Sequence, residues 1–307
     1  MLDIHQLRVL SEVARTGSYT AAAQALGYTQ PAVSYQMRRL QQAVGAPLVA
    51  RTGRGFRLTE AGETLIRHAD AVFAVLRAAD QEISSVVARG GGLVRLVAFQ
   101  SSCVTLLPQM VAQLRKSHPA IRVTVTQAEP AEARALISSG EADLGLLCNW
   151  GNEGLPEGEF AMTRLELMTD RRCVVMRRDD PMADHTTVDL ADLTDRHWVL
   201  ESFRDRFLAA CTNLGFQPDI AATIDDVLAL QALVASGLGI SSTSELALLA
   251  HLRPGLVIRP LSNWPLRHMY ALLWPDMAEV PAVATVLRQI QVTARQMQTA
   301  LSKDSGG

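Results

Sequence analysis

The chain has 307 residues, 48% of them hydrophobic and 20% charged, with a formal net charge of −2. That length exceeds one typical core and implies two or three domains, while the absence of any run of about 18 apolar residues excludes a membrane-spanning helix. The four cysteines (Cys103, Cys148, Cys173, Cys211) are widely spaced without a CxxC pair, and the start MLDIHQLRVL lacks a basic signal-peptide pattern, so a cytoplasmic protein with reduced thiols is expected.

Charge is unevenly distributed. Residues 1–59 hold seven arginines, no lysine and only two acids (Asp3, Glu12), a formal +5, which leaves −7 for the rest. A positive head on a negative body suits a polyanion partner. Leu7, Leu10, Val13 and Ala14 recur at helical spacing and predict a first helix closing near Gly17. Ser18 caps a second helix through Leu26, and its alanines (Ala22, Ala23, Ala25) permit close approach of a neighbour. Gly27 suits a left-handed helix end; Thr29 caps a third helix, with Pro31 in its first turn.

On that third helix Val33, Met37 and Leu40 face inward. Pro31, Ser34, Tyr35 and Arg38 fall on the outer face, with Gln30 at its exposed N-terminal edge. A helix held by a glycine turn against an alanine-rich helix is a helix-turn-helix, whose outer face offers donors and acceptors to base edges and a cation to phosphate. A helical hairpin with a solvated face is the plain alternative. The segment PLVARTGRGFRLT (47–59) weighs against it, because two apolar stretches around a Gly-rich turn predict a hairpin carrying Arg51, Arg54 and Arg57. The candidate DNA contacts are Thr29, Gln30, Pro31, Ser34, Tyr35, Arg38, Arg51 and Arg54.

Residues 7–62, LRVLSEVARTGSYTAAAQALGYTQPAVSYQMRRLQQAVGAPLVARTGRGFRLTEAG, resemble the N-terminal signature of LysR-type transcriptional regulators. Two departures are Leu40-Gln41 in place of Leu-Glu and Leu48-Val49 in place of Leu-Phe. The resemblance implies a winged helix-turn-helix that binds double-stranded DNA at imperfect inverted repeats with a T-N11-A core. It also implies a homodimer or homotetramer, activation or repression, RNA polymerase as a further partner, and a small-molecule effector.

Beyond Glu60, Leu65, Ala69, Val72, Leu76, Ala79, Ile83 and Val86 alternate in steps of four and three, a heptad seam that predicts a two-helix dimerisation coil lying outside both neighbouring cores. A solitary amphipathic surface helix is the alternative. Gly90-Gly91-Gly92 then forms a hinge. The expected domains are a winged head over 1–59, a linker helix over 60–89, a hinge over 90–92 and an effector-binding domain over 93–302. After the hinge, strands and helices alternate in two blocks with a late return at 268–274, predicting two α/β lobes: lobe I about 93–165 and 267–302, lobe II about 166–266. This body is similar to the family's effector domain, itself like a periplasmic binding protein, through HPAIRVTV, GEADLGLL and LVASGLGIS.

Ligands in such folds sit where strands end and helices begin. The candidate effector residues are therefore Ser101, Ser102, Cys103, Asn149, Trp150, Ser202, Phe203, Arg204, Thr223 and Ser241. A helix cap is the plain reading of any single Ser or Thr, and Arg204 reads first as a surface ion-pair partner. The Ser101–Ser102 segment, expected as a loop opening a helix, favours an anion such as a small carboxylate, although a neutral or aromatic ligand can stack on Trp150. Seven dispersed histidines show no metal spacing, and GxSxG, P-loop and dinucleotide motifs are missing, so no enzyme, metal or cofactor is expected. A solute-binding protein with a helical head, a constitutive architectural DNA binder and a cysteine-based redox sensor are the remaining alternatives.

Overall fold

The computed structural model describes residues 2–53, 55–87, 91–151 and 162–304. In the N-terminal unit, α1 (Ile4–Thr16) starts on the Asp3 carboxylate, which accepts from the backbone N–H groups of His5 and Gln6. The Ser18 hydroxyl caps α2 (Tyr19–Leu26), which closes on Gly27 at φ +69°, a left-handed conformation open to glycine without a Cβ clash. The Thr29 hydroxyl accepts from Ala32 N–H at the head of α3 (Gln30–Val44). Val33, Met37 and Leu40 are fully buried against Leu10, Val13, Ala22 and Ala23.

The wing is an antiparallel hairpin of β1 (Val49–Thr52) and β2 (Gly55–Leu58). Phe56 N–H donates to Gly17 O at 2.9 Å, and the Phe56 ring stacks on Tyr19 at 4.4 Å. The Gln41 side chain accepts from Leu48 N–H at 2.9 Å. The neutral amide at position 41 thus ties α3 to the start of the wing without a charge.

From the wing, the long helix α4 (Glu60–Val87) runs away from the head. Its expected seam divides. Leu65 and Ala69 belong to the head's own core, which corrects the expectation that the whole seam lies outside both cores. Val72, Leu76, Ala79 and Ile83 stay exposed, Ile83 at 64%, while the side chain of Val86 lies outside the described residues. A different stripe, Ala74 and Ala78, is buried in the core of lobe I. The helix therefore serves three surfaces in turn: head, own effector domain and an unpaired apolar stripe. Gly92 opens the first strand of lobe I rather than ending a hinge, because it pairs with Ile121; Gly90 lies outside the described residues.

The remaining chain forms two five-stranded sheets. In chain order lobe I contributes β3 (Gly92–Ala98), α5 (Gln100–Val104), α6 (Leu106–Ser117), β4 (Ile121–Gln127), α7 (Pro130–Ser139), β5 (Leu144–Trp150) and β6 (Thr163–Asp170). Lobe II follows with β7 (Arg172–Arg177), β8 (His197–Leu200), α8 (Asp205–Asn213), β9 (Asp219–Thr223), α9 (Val227–Ala235), β10 (Ile240–Ser244), α10 (Glu245–Leu249) and β11 (Leu256–Pro260). The chain then returns to lobe I through β12 (Arg267–Leu273), α11 (Pro275–Glu279) and α12 (Pro281–Asp304). The sheet orders are β4-β3-β5-β12-β6 and β11-β7-β10-β8-β9.

In each sheet one strand, β12 or β7, runs against all its partners. The expected crossing near 165 falls inside β6, whose polar alternation hides it: β12 holds β6 in the first sheet as far as Asp170, so lobe I extends to there. The lobe II sheet is covered on both faces, with Val174 and Met176 in one core and Val175 in the other, as the period of two requires.

Where α4 passes lobe I, Arg77 Nη1 donates to Ser139 O (3.2 Å) at the end of α7. The guanidinium fills the space of a Cβ on Gly140, whose φ of +74° also demands glycine. A crevice of about 1300 Å³ between α1, α4 and lobe I is lined in part by Arg8, Asp70, Arg77 and Asp80. Burial pushes the Asp70 carboxyl up to about 6, with Arg77 pulling the other way. The folded-state value exceeds the unfolded one of about 3.9, so this group favours folding only when protonated. Its contribution is complete below about pH 4 and is lost as pH rises through about 6. Asp70→Asn should therefore raise stability near neutral pH by about 1–2 kcal/mol and change it little below pH 4. Thermal unfolding across pH measures this; equal melting of mutant and parent at neutral pH would mean that water reaches the carboxylate.

Candidate nucleic-acid interface and interlobe cleft

The packing of α3 dictates what its outer face shows. With Val33, Met37 and Leu40 committed to the core, Thr29, Gln30, Pro31, Tyr35 and Arg38 are exposed and Ser34 is half-buried. Gln30 Nε2 donates to Ser34 Oγ at 3.0 Å, which aligns an amide and a hydroxyl on one turn. The Arg39 guanidinium lies 5.9 Å from the centre of the Tyr35 ring. On the wing, Arg51 stands opposite Phe56 and Arg57 opposite Ala50, so the two exposed arginines leave opposite faces of the ribbon. Arg54, at the tip, lies outside the described residues.

Between the lobes is a cavity of about 550 Å³. Its floor is built around two buried arginines, each the first residue of a reversed strand. Arg267 opens β12 and pairs in register with Trp150 and Asp170; Arg172 opens β7 and pairs with Ser244. Arg267 Nε and Nη2 donate to the two Asp170 oxygens at 2.8 Å each, and Nη2 also to Ser101 Oγ at 3.0 Å. Burial works against the Arg267 charge, but Asp170 more than offsets it and the guanidinium is held firmly protonated.

Arg172 is 7% exposed and donates from Nε and Nη2 to Ser242 Oγ and O, both at 2.8 Å. Its guanidinium lies 5.4–5.6 Å from the ring centres of Trp150, Phe207 and Trp264. Among the described residues no carboxylate forms an ion pair with it. Burial lowers its pKa; Glu201 counteracts this and Arg267 adds to it. Carboxylates also line the cavity, Glu129 and Glu132 from lobe I and Glu201 and Asp225 from lobe II, as do two further arginines, Arg134 and Arg206.

Residues 4–63 match the family described as bacterial regulatory helix-turn-helix protein, lysR family, and residues 88–294 match the LysR substrate binding domain. The chain belongs to the LysR family. It is a DNA-binding transcriptional regulator with an effector-binding domain, in a family whose named members are regulators rather than enzymes. A probable RuBisCO transcriptional regulator of Synechocystis is 25% identical over 94% of this chain and 85% of its own length. The regulator ShiR of Corynebacterium glutamicum is 28% identical over 89% of this chain and 92% of its own. A full-length OxyR point variant from Pseudomonas aeruginosa shares the fold, with a TM-score of 0.63 at 20% identity over 96% of this chain and 95% of that one. Full-length CbnR, solved in complex with its target DNA, has a TM-score of 0.52 at 21% identity, covering 95% of this chain and all of that one. Among the described residues no helix of this LysR regulator is long and apolar enough to cross a membrane.

Of the expected effector residues, Ser101, Asn149, Trp150 and Phe203 line the cavity. The others do not, each for a local reason. Ser101 and Ser102 lie within the short helix α5 instead of a loop before a helix, and the Ser102 hydroxyl donates back to Phe99 O at 2.7 Å. Cys103 sits on the same helix, its thiol 3.6 Å from Ala98 O. Ser202 gives both its N–H and its hydroxyl to the Asp225 carboxylate. Among the described residues Arg204 forms no ion pair: its Nη1 bonds Glu201 O, and its Nε is buried. Thr223 ends the edge strand β9, and Ser241 is fully buried two residues deeper on β10 than Thr243, which does reach the cavity. Arg172, Arg267, Glu129, Glu201 and Thr243 line the cavity without having been expected there, and Asp225 lines it from the loop that follows Thr223. For the two arginines the missing signal is strand direction: in a reversed strand the N-terminal end, not the C-terminal one, meets the ligand edge.

The four cysteines are free. Burial pushes the thiols of Cys148 and Cys211 up to about 11 and that of Cys173 to about 12, and raises Cys103 as well. A thiol near 11 carries about a hundredfold less thiolate than a free cysteine at the same pH. Alkylation of the native regulator by iodoacetamide at neutral pH should therefore be far slower than that of the unfolded chain. One rapidly modified or peroxide-oxidised cysteine would reopen redox sensing.

Proposed function

We propose that the regulator reads duplex DNA with α3 and the wing, and that a small anion bound on Arg172 between the lobes controls it. Arg172 is the observation that carries the reading. A buried guanidinium without a carboxylate partner is costly, and an anionic ligand that supplies the counter-charge recovers that cost on binding. Ser101, Thr243 and the Trp150 face supply hydrogen bonds and an apolar wall around the same point. The cavity volume lies within the range of small-molecule sites.

At the head, Gln30 and Ser34 offer base-reading groups, Arg38 reaches bases or phosphate, and Arg51 and Arg54 grip the backbone. The exposed stripe Val72, Leu76, Ala79 and Ile83 pairs two copies, so lobe closure reaches DNA by re-orienting protomers within a homodimer or homotetramer. Imperfect inverted repeats in cytoplasmic DNA are the targets this arrangement fits.

Arg51→Ala should weaken binding to every duplex and flatten the salt dependence by about one phosphate contact, whereas Ser34→Ala should relax base preference with little change in salt slope. Fluorescence anisotropy over salt and sequence variants separates the two; a wing mutant that altered only sequence preference would refute the wing's role. Arg172→Gln should abolish the effector response of a reporter while leaving DNA affinity without effector within about twofold. An undiminished response would place the ligand elsewhere.

A further inference from the structure

The cleft carries charges of both signs. Arg172 is packed on three rings at the floor. Glu129, immediately before α7, lines the cleft from lobe I, while Glu201, just after β8, and Asp225, just before α9, line it from lobe II. Two of these carboxylates are held by their own lobe. Glu201 Oε1 accepts from Thr243 Oγ1 at 3.0 Å, and Asp225 accepts from Ser202 N–H and hydroxyl at 2.7 and 2.8 Å. Gln100 Nε2 donates across the lobes to Asp225 O at 2.6 Å, which keeps this rim close to lobe I.

Glu129 differs from the other two. It occupies the cap position of α7 yet its side chain makes no cap hydrogen bond, and among the described residues no side chain donates to it. Burial raises its pKa, then the Glu201 and Asp225 charges raise it further, so the three carboxylates sense one another across the cleft. Arg267, the nearby cation that opposes this, is already saturated by Asp170. Among the described residues no three His, Cys, Asp or Glu side chains are grouped to hold a metal ion. Carboxylates are hydrogen-bond acceptors, and an ammonium, with its N–H donors, is a cation that matches them.

We infer that the effector is a small amino acid, a zwitterion whose carboxylate pairs with Arg172 and whose ammonium lies between Glu129 of lobe I and Glu201 of lobe II. This rests on the anion-binding reading of Arg172 given above and adds the second charge. A simple carboxylate leaves Glu129 half-buried against two like charges, and a dicarboxylate brings a fourth negative group to them. An ammonium instead donates hydrogen bonds to both lobes at once, so the same contact that selects the ligand draws the lobes together. Trp150 and Phe203 add apolar surface to the same lining, suited to an apolar side chain.

The test uses the full chain and matched pairs: alanine with propionate, 4-aminobutyrate with butyrate, phenylalanine with 3-phenylpropionate. Each is titrated calorimetrically and by thermal shift at millimolar concentration. At least one amino acid should bind the parent protein roughly tenfold or more tightly than its partner lacking the amine. Glu129→Gln should shrink that preference towards unity while leaving the simple carboxylate's affinity unchanged or improved, and Glu201→Gln should act in the same direction. Arg172→Gln should abolish binding of both members of the pair. If the simple acid binds as tightly as its amino acid, or Glu129→Gln preserves the preference, the ammonium site is refuted while the anion cleft stands. If no probe binds the parent, or Arg172→Gln binds like the parent, the cleft reading fails together with this inference. Unchanged DNA affinity of each variant verifies that it is folded.

Discussion

The passage of the chain between the lobes depends on a buried ion pair. Arg267 and Asp170 face each other on adjacent strands, and the pair is nearly sealed from water. Both guanidinium bonds are 2.8 Å long, Ser101 of α5 takes a third, and the Asp170 carboxylate also accepts from Leu246 N–H at 3.0 Å. The ion pair thus joins β6, β12, α5 and α10, elements drawn from both lobes. A buried pair of this kind is not a large net source of stability, but losing either partner leaves an uncompensated charge. Its role is to define where two lobes meet, and it also removes Arg267 as a ligand anchor. Arg172, the neighbouring arginine, has no such partner among the described residues.

The same economy of surfaces governs α4. A single helix has about 3.6 residues per turn, so stripes a few residues apart face different directions. Leu65 and Ala69 complete the head, Ala74 and Ala78 complete lobe I, and Val72, Leu76 and Ile83 remain outside both. Arg77 adds a polar clasp to the end of α7, whose opposite end carries Glu129 into the cleft. One short helix therefore touches the ligand cavity at its start and the linker at its finish. That is a physical connection between the two functional regions, made of a rigid element rather than a chain of loops.

The head and the body solve recognition differently. On α3 the core claims every third or fourth residue, and what is left over is exposed and polar by default. Side chains there are solvated and adaptable, suited to a polyanion whose affinity is largely electrostatic. In the cleft Arg172 and Arg267 are buried and oriented by hydrogen bonds, so a charge left unmet there has a cost that a fitting ligand relieves. Under the proposed function, effector selectivity accordingly rests on a few buried groups and DNA affinity on many exposed ones.

Local chemistry is sufficient to read the head: caps at Ser18 and Thr29, Gly27 at a left-handed end, and alternating burial on α3 all act over a few residues. The division into two α/β lobes follows from alternation of strand and helix, and Trp150 and Asn149 are legible because β5 ends at the ligand edge. Strand β6 is not, because its polar residues show no strict apolar alternation and its membership depends on pairing with β12 about a hundred residues later. Arg172 and Arg267 are hidden for the same reason. Nothing local marks an arginine as first in a reversed strand, and only the sheet order brings both beside Trp150. Ser102 turns away from the cleft because its hydroxyl bonds a carbonyl three residues back. Periodicity and caps are short-range and therefore written in the sequence; strand direction, burial of charge and the meeting of carboxylates across a cleft are long-range, and only the folded chain decides them.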